Sequence, residues 1–177
     1  DRYYLYCTFE IQVEDVAVIT RSNGGTIGLD FNKGFVTLSE TNKYGHLIQT
    51  QILTYRFKSG DKTKTDLQRI ANHVTKVACR TSKDVCIENL DFKTKKSETE
   101  TKQDKKYNEM IHSLAYRQFS DVIESATHQN KVNLIKVNPA WTSWLAERIY
   151  CPTMKLNTHV GASYVIARRG QGYNDTV

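Results

Sequence analysis

Only two of the 177 residues are proline, and no segment approaches the roughly 18 consecutive apolar residues that a membrane-spanning helix needs. The sequence also has no signal-peptide pattern. Scarce proline, with 39% hydrophobic and 10% aromatic residues, argues against a disordered linker protein. We therefore expect one folded domain with no membrane partner.

No pair of cysteines has the C-x-x-C spacing of a zinc ribbon, so we expect no zinc. The four cysteines are Cys7, Cys79, Cys86 and Cys151. Cys86 lies in an apolar run and Cys79 ends a helical pattern, which is typical of small buried residues in a reducing cytosol.

Positive charge is in excess, with a net charge of +6, and this suggests a polyanionic partner without identifying one. The surplus is densest in residues 93–106, which hold six lysines and three acidic residues but no apolar residue. We predict a mobile basic loop there. A solvated surface loop is the commoner outcome for such a segment, and a loop that contacts phosphates is the functional alternative.

One carboxylate, Asp30, lies in the middle of an apolar strand-like run, residues 26–31 (TIGLDF). A buried carboxylate is costly unless it is paired, hydrogen-bonded or bound to a metal. Gly28 permits close approach of another backbone or a ligand, and residues 32–34 (NKG) supply a tight turn. The run therefore predicts a hairpin whose first strand delivers a carboxylate to the sheet.

Apolar periodicity predicts three strands with short turns, followed by alternating helices and strands. The predicted elements are a strand at 3–11, a connection at 14–23, the strand carrying Asp30, strands at 35–39 and 46–56, a polar connection at 59–65, a helix at 66–79, a strand at 84–90, a helix at 108–129, a strand at 132–137, and helices at 141–149 and 158–169, the last with Thr158 as its N-cap and Gly170 as its stop. An antiparallel meander followed by helical crossovers is the order of a ribonuclease H-like α/β fold.

Glu88 is a second acid in an apolar strand, and a ribonuclease H-like sheet makes its strand the neighbour of the one carrying Asp30. Two adjacent carboxylates repel each other, and a divalent cation relieves that repulsion. Oxygen ligands of this kind suit Mg²⁺, and two such cations can activate water and stabilise the leaving oxygen of a phosphodiester. A third ligand is expected at the start of the last helix, where the candidate is His159, although a helix-start histidine commonly has no special role.

Five segments resemble, in order, the motifs of the RuvC-like nuclease domain of transposon-encoded TnpB proteins, which are related to type V CRISPR effectors. They are residues 28–32 (GLDFN; family pattern G-[IV]-D), residues 85–90 (VCIENL; apolar-apolar-E-[DN]-L), the helix from Asn108 (the bridging helix), residues 137–143 (VNPAWTS; V-x-P-x-x-T-S) and residues 159–166 (HVGASYVI; D-x-N-A-A-x-N-I). The resemblance covers roughly residues 26–173.

Two departures from the family pattern bear on activity. The zinc ribbon that usually separates the T-S from the third motif is absent, since only fifteen residues lie there. His159 also occupies the position of the usual Asp. Histidine is a legitimate but softer and neutral ligand, so a lower metal affinity is expected.

The resemblance implies a RuvC-type mixed five-stranded sheet flanked by helices, with residues 24–177 as the nuclease domain. Residues 1–23 would then be a strand and connection, alternatively the tail of a preceding domain. It implies a bacterial cytoplasmic DNA endonuclease, guided by RNA in its full-length context, with Asp30, Glu88 and His159 as catalytic residues and ligands of two Mg²⁺ or Mn²⁺ ions. Candidate nucleic-acid contacts are Lys33, Lys93, Lys95, Lys96, Lys105, Lys106, Arg168 and Arg169.

Two alternatives differ in function. One is a catalytically weakened relative that binds guide RNA and DNA without cutting, but the presence of both Asp30 and Glu88 favours the nuclease. The remote one is an actin-type or sugar-kinase-type ATPase, which opens with a similar strand–turn–strand. Such ATPases need later glycine-rich phosphate loops, and only three glycines follow Gly60, so we predict no nucleotide cofactor.

Overall fold

The computed structural model describes Tyr3, Leu5, Cys7 and residues 17–57, 61–90 and 103–175, with backbone alone at residues 61 and 103–112. The elements are β1 (Arg21–Asn32), β2 (Phe35–Thr41), β3 (Leu47–Thr54), α1 (Asp61–Thr81), β4 (Lys83–Glu88), α2 (Gln103–Gln129), β5 (Leu134–Val137), α3 (Thr142–Leu145), a π-helical turn (Ala146–Tyr150), α4 (Cys151–Met154) and α5 (Thr158–Gly170). Within these residues, no helix is long and apolar enough to cross a bilayer.

The strands form one mixed sheet in the order β3-β2-β1-β4-β5. The pairs β1–β2 and β2–β3 are antiparallel, whereas β1–β4 and β4–β5 are parallel. This is the predicted five-stranded arrangement, and it confirms that the strands carrying Asp30 and Glu88 are neighbours.

One face of the sheet carries the main hydrophobic core. Strand residues that alternate along β1, β2 and β4 pack there against the apolar faces of α1 and α2, as the period-2 and helical patterns require. The fully buried side chains of this layer include Ile27, Leu29, Val36, Leu38, Val85, Ile87, Leu67, Val74, Phe119 and Ile123.

The opposite face is small and polar, and α5 lies on it. The Thr26 hydroxyl donates to the Ala167 carbonyl oxygen at 2.6 Å, and the Ser39 and Ser163 hydroxyl oxygens are 2.7 Å apart. At Gly28 the helix comes so close that an added Cβ would lie 2.1 Å from the Ser163 carbonyl oxygen. The predicted close approach at Gly28 is therefore that of a helix backbone.

Replacing Gly28 with Ala is expected to destabilise the fold by about 1–3 kcal/mol, because the helix backbone must move to admit the methyl group. Gly24→Ala on the same strand is the matched control, since nothing lies within 4 Å of its Cβ position. Thermal melting of the two variants measures the difference. Equal melting temperatures would show that α5 is not held at this distance from β1.

Two elements, β1 and α1, begin earlier than predicted. β1 already begins at Arg21, inside the predicted connection, and α1 begins at Asp61 rather than at residue 66. The first turn of α1 has no apolar stripe, but Thr63 is buried there and its hydroxyl donates to the Arg56 carbonyl oxygen at 2.9 Å. The helix begins in a polar segment because this contact, and not apolar burial, fixes its first turn.

The predicted basic loop at 93–106 is only partly described. Residues 91–102, with Lys93, Lys95 and Lys96, lie outside the described residues, whereas α2 begins at Gln103, so Lys105 and Lys106 are helical and not in a loop. The predicted strand at 3–11 also lies mostly outside them. Tyr3, Leu5 and Cys7 have no regular secondary structure.

Candidate active site

Asp30 and Glu88 reach the same face of the sheet from neighbouring strands. The parallel register of β1 and β4 pairs Gly28 with Cys86. Two residues further along each strand, the same face presents Asp30 on β1 and Glu88 on β4. This is the face on which α5 lies, and the two acids are close enough for the Asp30 charge to act on Glu88.

Asn32 and His159 both contact the Asp30 carboxylate. The side-chain amide of Asn32 donates to Asp30 Oδ2 at 2.7 Å, and His159 Nδ1 lies 3.5 Å from the same oxygen. The Asp30 side chain is 14% exposed, whereas that of His159 is 49% exposed. The site therefore opens to solvent on the histidine side.

His159 is positioned by both its helix and β2. Asn157, not the predicted Thr158, caps α5, because its side chain accepts a hydrogen bond from the Val160 amide at 2.9 Å. The hydroxyl of Thr37, which pairs with Asp30 across the hairpin, donates to the His159 carbonyl oxygen at 2.9 Å. The Phe35 ring meets the imidazole edge-on, with centroids 5.1 Å apart. The first turn of α5, which is the positive end of the helix dipole, thus lies beside Asp30.

The environment of Glu88 disfavours its charge. Burial raises the pKa of the Glu88 carboxyl, and the nearby Asp30 charge raises it further, while a hydrogen bond with Thr142 and the Arg169 charge only partly offset these effects. The Tyr116 hydroxyl donates to the Glu88 carbonyl oxygen and fixes the end of β4. A cation bound beside Glu88 would therefore stabilise its ionised carboxylate.

The residues present suit a hard divalent cation by the chemistry of their donor atoms. Two carboxylates from adjacent strands and one imidazole are oxygen and nitrogen donors, and the mutual effect of Asp30 on Glu88 is one that a cation relieves. In the part of the chain that the structure describes, however, no group of three His, Cys, Asp or Glu side chains is close enough to hold a metal ion as placed. Asp30 and His159 form a close pair, and Glu88 turns toward Thr142 and Arg169.

The two arginines predicted to contact nucleic acid have other partners. Arg168 binds the Asp175 carboxylate through two nitrogens, at 2.9 and 2.8 Å, and lies at the far end of α5 from His159. Arg169 donates to the carbonyl oxygens of Asn138 and Ala140. Lys33 is exposed at the β1–β2 turn, 5.2 Å from the centre of the Phe57 ring, and remains available at the rim of the site.

Sequence reasoning missed two side chains of the site. Asn32 was assigned only a turn role, although its position two residues after Asp30 places both side chains on one face of β1. Thr142 was noted within residues 137–143 but was given no role, because its contact with Glu88 depends on how the loop after β5 folds. No local pattern predicts such a contact.

No family model and no curated protein matches the sequence. Solved structures of RuvC from Thermus thermophilus do share its fold. One of them, RuvC in complex with Holliday junction substrate, is 13% identical with a TM-score of 0.55 and covers 80% of this chain and 88% of that one. A second RuvC structure is 12% identical with a TM-score of 0.53 and covers 80% and 90%. The chain therefore has a RuvC-like, ribonuclease H-like α/β fold.

Proposed function

We propose that this chain is the divalent-metal-dependent nuclease domain of an RNA-guided protein of the TnpB type, which hydrolyses phosphodiester bonds in DNA. The observation that supports the proposal is that Asp30 and Glu88 lie on one face of adjacent parallel strands, with His159 Nδ1 3.5 Å from Asp30 Oδ2. The order of the five motifs supports the TnpB assignment, and the RuvC-like fold supports a nuclease.

Each residue has a distinct part in the proposed chemistry. Asp30, oriented by Asn32, and Glu88 would supply the negative charge that holds the cations, and His159 would add a nitrogen ligand. Mg²⁺ or Mn²⁺, when bound, supplies the Lewis acidity that activates water and stabilises the leaving oxygen. The positive end of α5 and the net charge of +6 favour approach of a phosphodiester strand.

The test is a plasmid cleavage assay with the full-length protein purified with its RNA. We expect cleavage of a matched target in Mg²⁺ or Mn²⁺, none in EDTA, and a loss of at least about 100-fold in Asp30→Asn, since a charge that holds the cations is removed. Asp121→Asn, an exposed acid on α2, is the matched control and should cut normally. Full activity of Asp30→Asn, or cutting in EDTA, would refute the proposal.

A second candidate is a domain that binds guide RNA and DNA without cutting. The observation that favours it is the contact between His159 and Asp30, since an imidazole carries no negative charge and the site is then less negative than one with three carboxylates. In that case Mg²⁺ would leave the plasmid intact while target binding persisted.

A further inference from the structure

The only two tryptophans of the chain lie together on the surface, directly after β5. Trp141 is 73% exposed and Trp144 is 42% exposed, and their ring centres are 6.1 Å apart at an interplanar angle of 68°. Large aromatic side chains normally bury most of their area, and adjacent exposed ones are typical of binding sites.

The backbone that presents Trp141 is both unusual and firmly held. Trp141 has φ 64° and ψ 13°, in the left-handed region that a bulky residue rarely adopts. The Arg169 guanidinium spans the loop, donating to Ala140 O at 2.7 Å, to Thr142 Oγ1 at 3.0 Å and to the Asn138 carbonyl oxygen. An uncommon conformation that is braced in this way, yet leaves its large side chain uncovered, indicates a functional rather than a packing role.

The tryptophans border a groove that adjoins the active site. The groove has a volume of about 920 Å³, and Trp141, Trp144, Val137, Leu145 and Tyr173 are among its lining residues. Its link to the acids is Val137, which lines the groove and pairs with Glu88 across β4 and β5. A ligand lying on the tryptophans would therefore lead toward Glu88.

Positive charge accompanies the aromatic rings. The Arg148 guanidinium lies 6.0 Å from the centre of the Trp144 ring, is exposed, and makes no ion pair with any described residue. Lys136, also exposed, lies at the groove and pairs with Glu124 at 2.8 Å. Flat aromatic surfaces beside a free guanidinium suit stacked bases joined by phosphates.

We propose that Trp141 and Trp144 form a stacking platform for unpaired bases of a nucleic-acid strand whose phosphates contact Arg148. This rests on the proposed function, because it names the state of the strand that enters the site: single-stranded, with its bases free to stack. Bases within a duplex present no free face to a tryptophan, so intact duplex should bind here far more weakly than a single strand.

Intrinsic tryptophan fluorescence tests the platform directly, because both tryptophans of this chain belong to it. We expect single-stranded DNA or RNA oligonucleotides to quench the emission saturably in EDTA, with duplex of the same length much less effective. Comparing the DNA and RNA arms shows which strand is preferred. Inorganic polyphosphate, which has charge but no bases, should leave the emission nearly unchanged. Quenching by polyphosphate or duplex equal to that by single strands would overturn the proposal, as would no quenching by any strand.

Single substitutions locate the contact. Trp141→Ala and Trp144→Ala should each weaken single-strand affinity on the order of 10-fold, measured by anisotropy of a labelled oligonucleotide, whereas Trp141→Phe should retain most of it. Tyr44→Ala is the matched control. Tyr44 is an aromatic residue in the turn between β2 and β3, is 60% exposed, and has Lys43 Nζ 4.8 Å from its ring centre. Melting curves verify that each variant is folded. Unchanged affinity in both folded Ala variants would overturn the platform.

The results of the fluorescence test and of the plasmid cleavage test can differ, and each difference identifies which proposal fails. Single-strand quenching without plasmid cleavage under any metal condition would retain the platform and refute the nuclease. Cleavage abolished by Asp30→Asn, with no quenching in the same protein, would retain the nuclease and refute the platform.

Discussion

Replacing Glu88 with Gln is expected to abolish cleavage, by at least about 100-fold, and at the same time to make the metal-free protein more stable. The loss of activity follows because Gln keeps the shape of the side chain but removes a charge proposed to hold the cations. The gain in stability follows because burial and the Asp30 charge raise the pKa of the Glu88 carboxyl in the folded state. An ionised Glu88 therefore costs folding free energy at neutral pH.

The direction of the Glu88 pKa shift determines how this stability effect depends on pH. A carboxyl whose folded pKa is raised binds more protons in the folded state, so its penalty grows as pH rises through the unfolded value of about 4.3 and is complete above the folded pKa. The stabilisation by Glu88→Gln should be largest near pH 7 and vanish below about pH 4. Thermal melting across this range, with and without Mn²⁺, measures it, and Mn²⁺ should raise the melting temperature of the parent more than that of the variant.

Glu124→Gln is a control whose expected effect on stability is opposite in sign to that of Glu88→Gln. Partial burial raises the pKa of Glu124, but hydrogen bonds with Lys136 and Ser120 outweigh it and lower the pKa overall. This exposed pair should contribute at most about 1 kcal/mol, so its loss should slightly destabilise the protein at neutral pH and leave cleavage intact. If Glu88→Gln cut at the parent rate, Glu88 would not be a ligand, and if it destabilised the metal-free protein, the electrostatic account of its environment would be wrong.

Substitutions of His159 distinguish a site that is catalytically active from one that has lost its activity. His159→Ala is expected to reduce cleavage about 10- to 100-fold, since one ligand is lost while the two carboxylates remain. His159→Asp should cut with Mg²⁺ at least as well as the parent, because Mg²⁺ prefers carboxylate ligands. His73→Ala is the matched control and should leave cleavage unchanged. It removes an exposed imidazole of α1 that is hydrogen-bonded with Gln51 of β3.

The Asp variant has a second, activity-independent signature. The His159 imidazole nitrogen lies 3.5 Å from Asp30 Oδ2, so a carboxylate in its place adds a third negative charge to the site. The variant should therefore melt lower than the parent in EDTA and gain more stability from Mg²⁺. Equal activity of parent and Ala variant would show that His159 is no ligand. An inactive parent with an active Asp variant would identify a binding protein that has lost its nuclease.

The adjacency of the strands that carry Asp30 and Glu88 could be predicted because each acid interrupts an apolar strand, and because the order of helices and strands admits few sheet topologies. The polar face beneath α5 also has a sequence signature that was overlooked. Thr37, Ser39 and Thr41 alternate along β2, and all three make hydrogen bonds to α5 or to Gln171, just after it. Alternating hydroxyls on a buried strand indicate a helix held by hydrogen bonds.

Other features depend on contacts that sequence periodicity does not encode. The brace from Arg169 to the loop after β5 joins residues 29 and 31 positions apart. The prediction that Arg169 contacts nucleic acid stays a prediction. The early start of α2 at Gln103 was missed because its first residues have no apolar face. The cap of α5 was misplaced by one residue because Asn157 and Thr158 are both good N-cap residues, and tertiary packing decides between them.

Anomalous diffraction from crystals of the protein grown with Mn²⁺ would locate the metal relative to Asp30 and Glu88. We expect an anomalous peak from a manganese ion bound by the carboxylates of both Asp30 and Glu88, with His159 beside it, and no such peak in Glu88→Gln. Manganese bound elsewhere, or a Glu88 carboxylate that stays with Thr142 and Arg169 while manganese is present at saturating concentration, would contradict the proposal that these two strands build a metal-dependent active site.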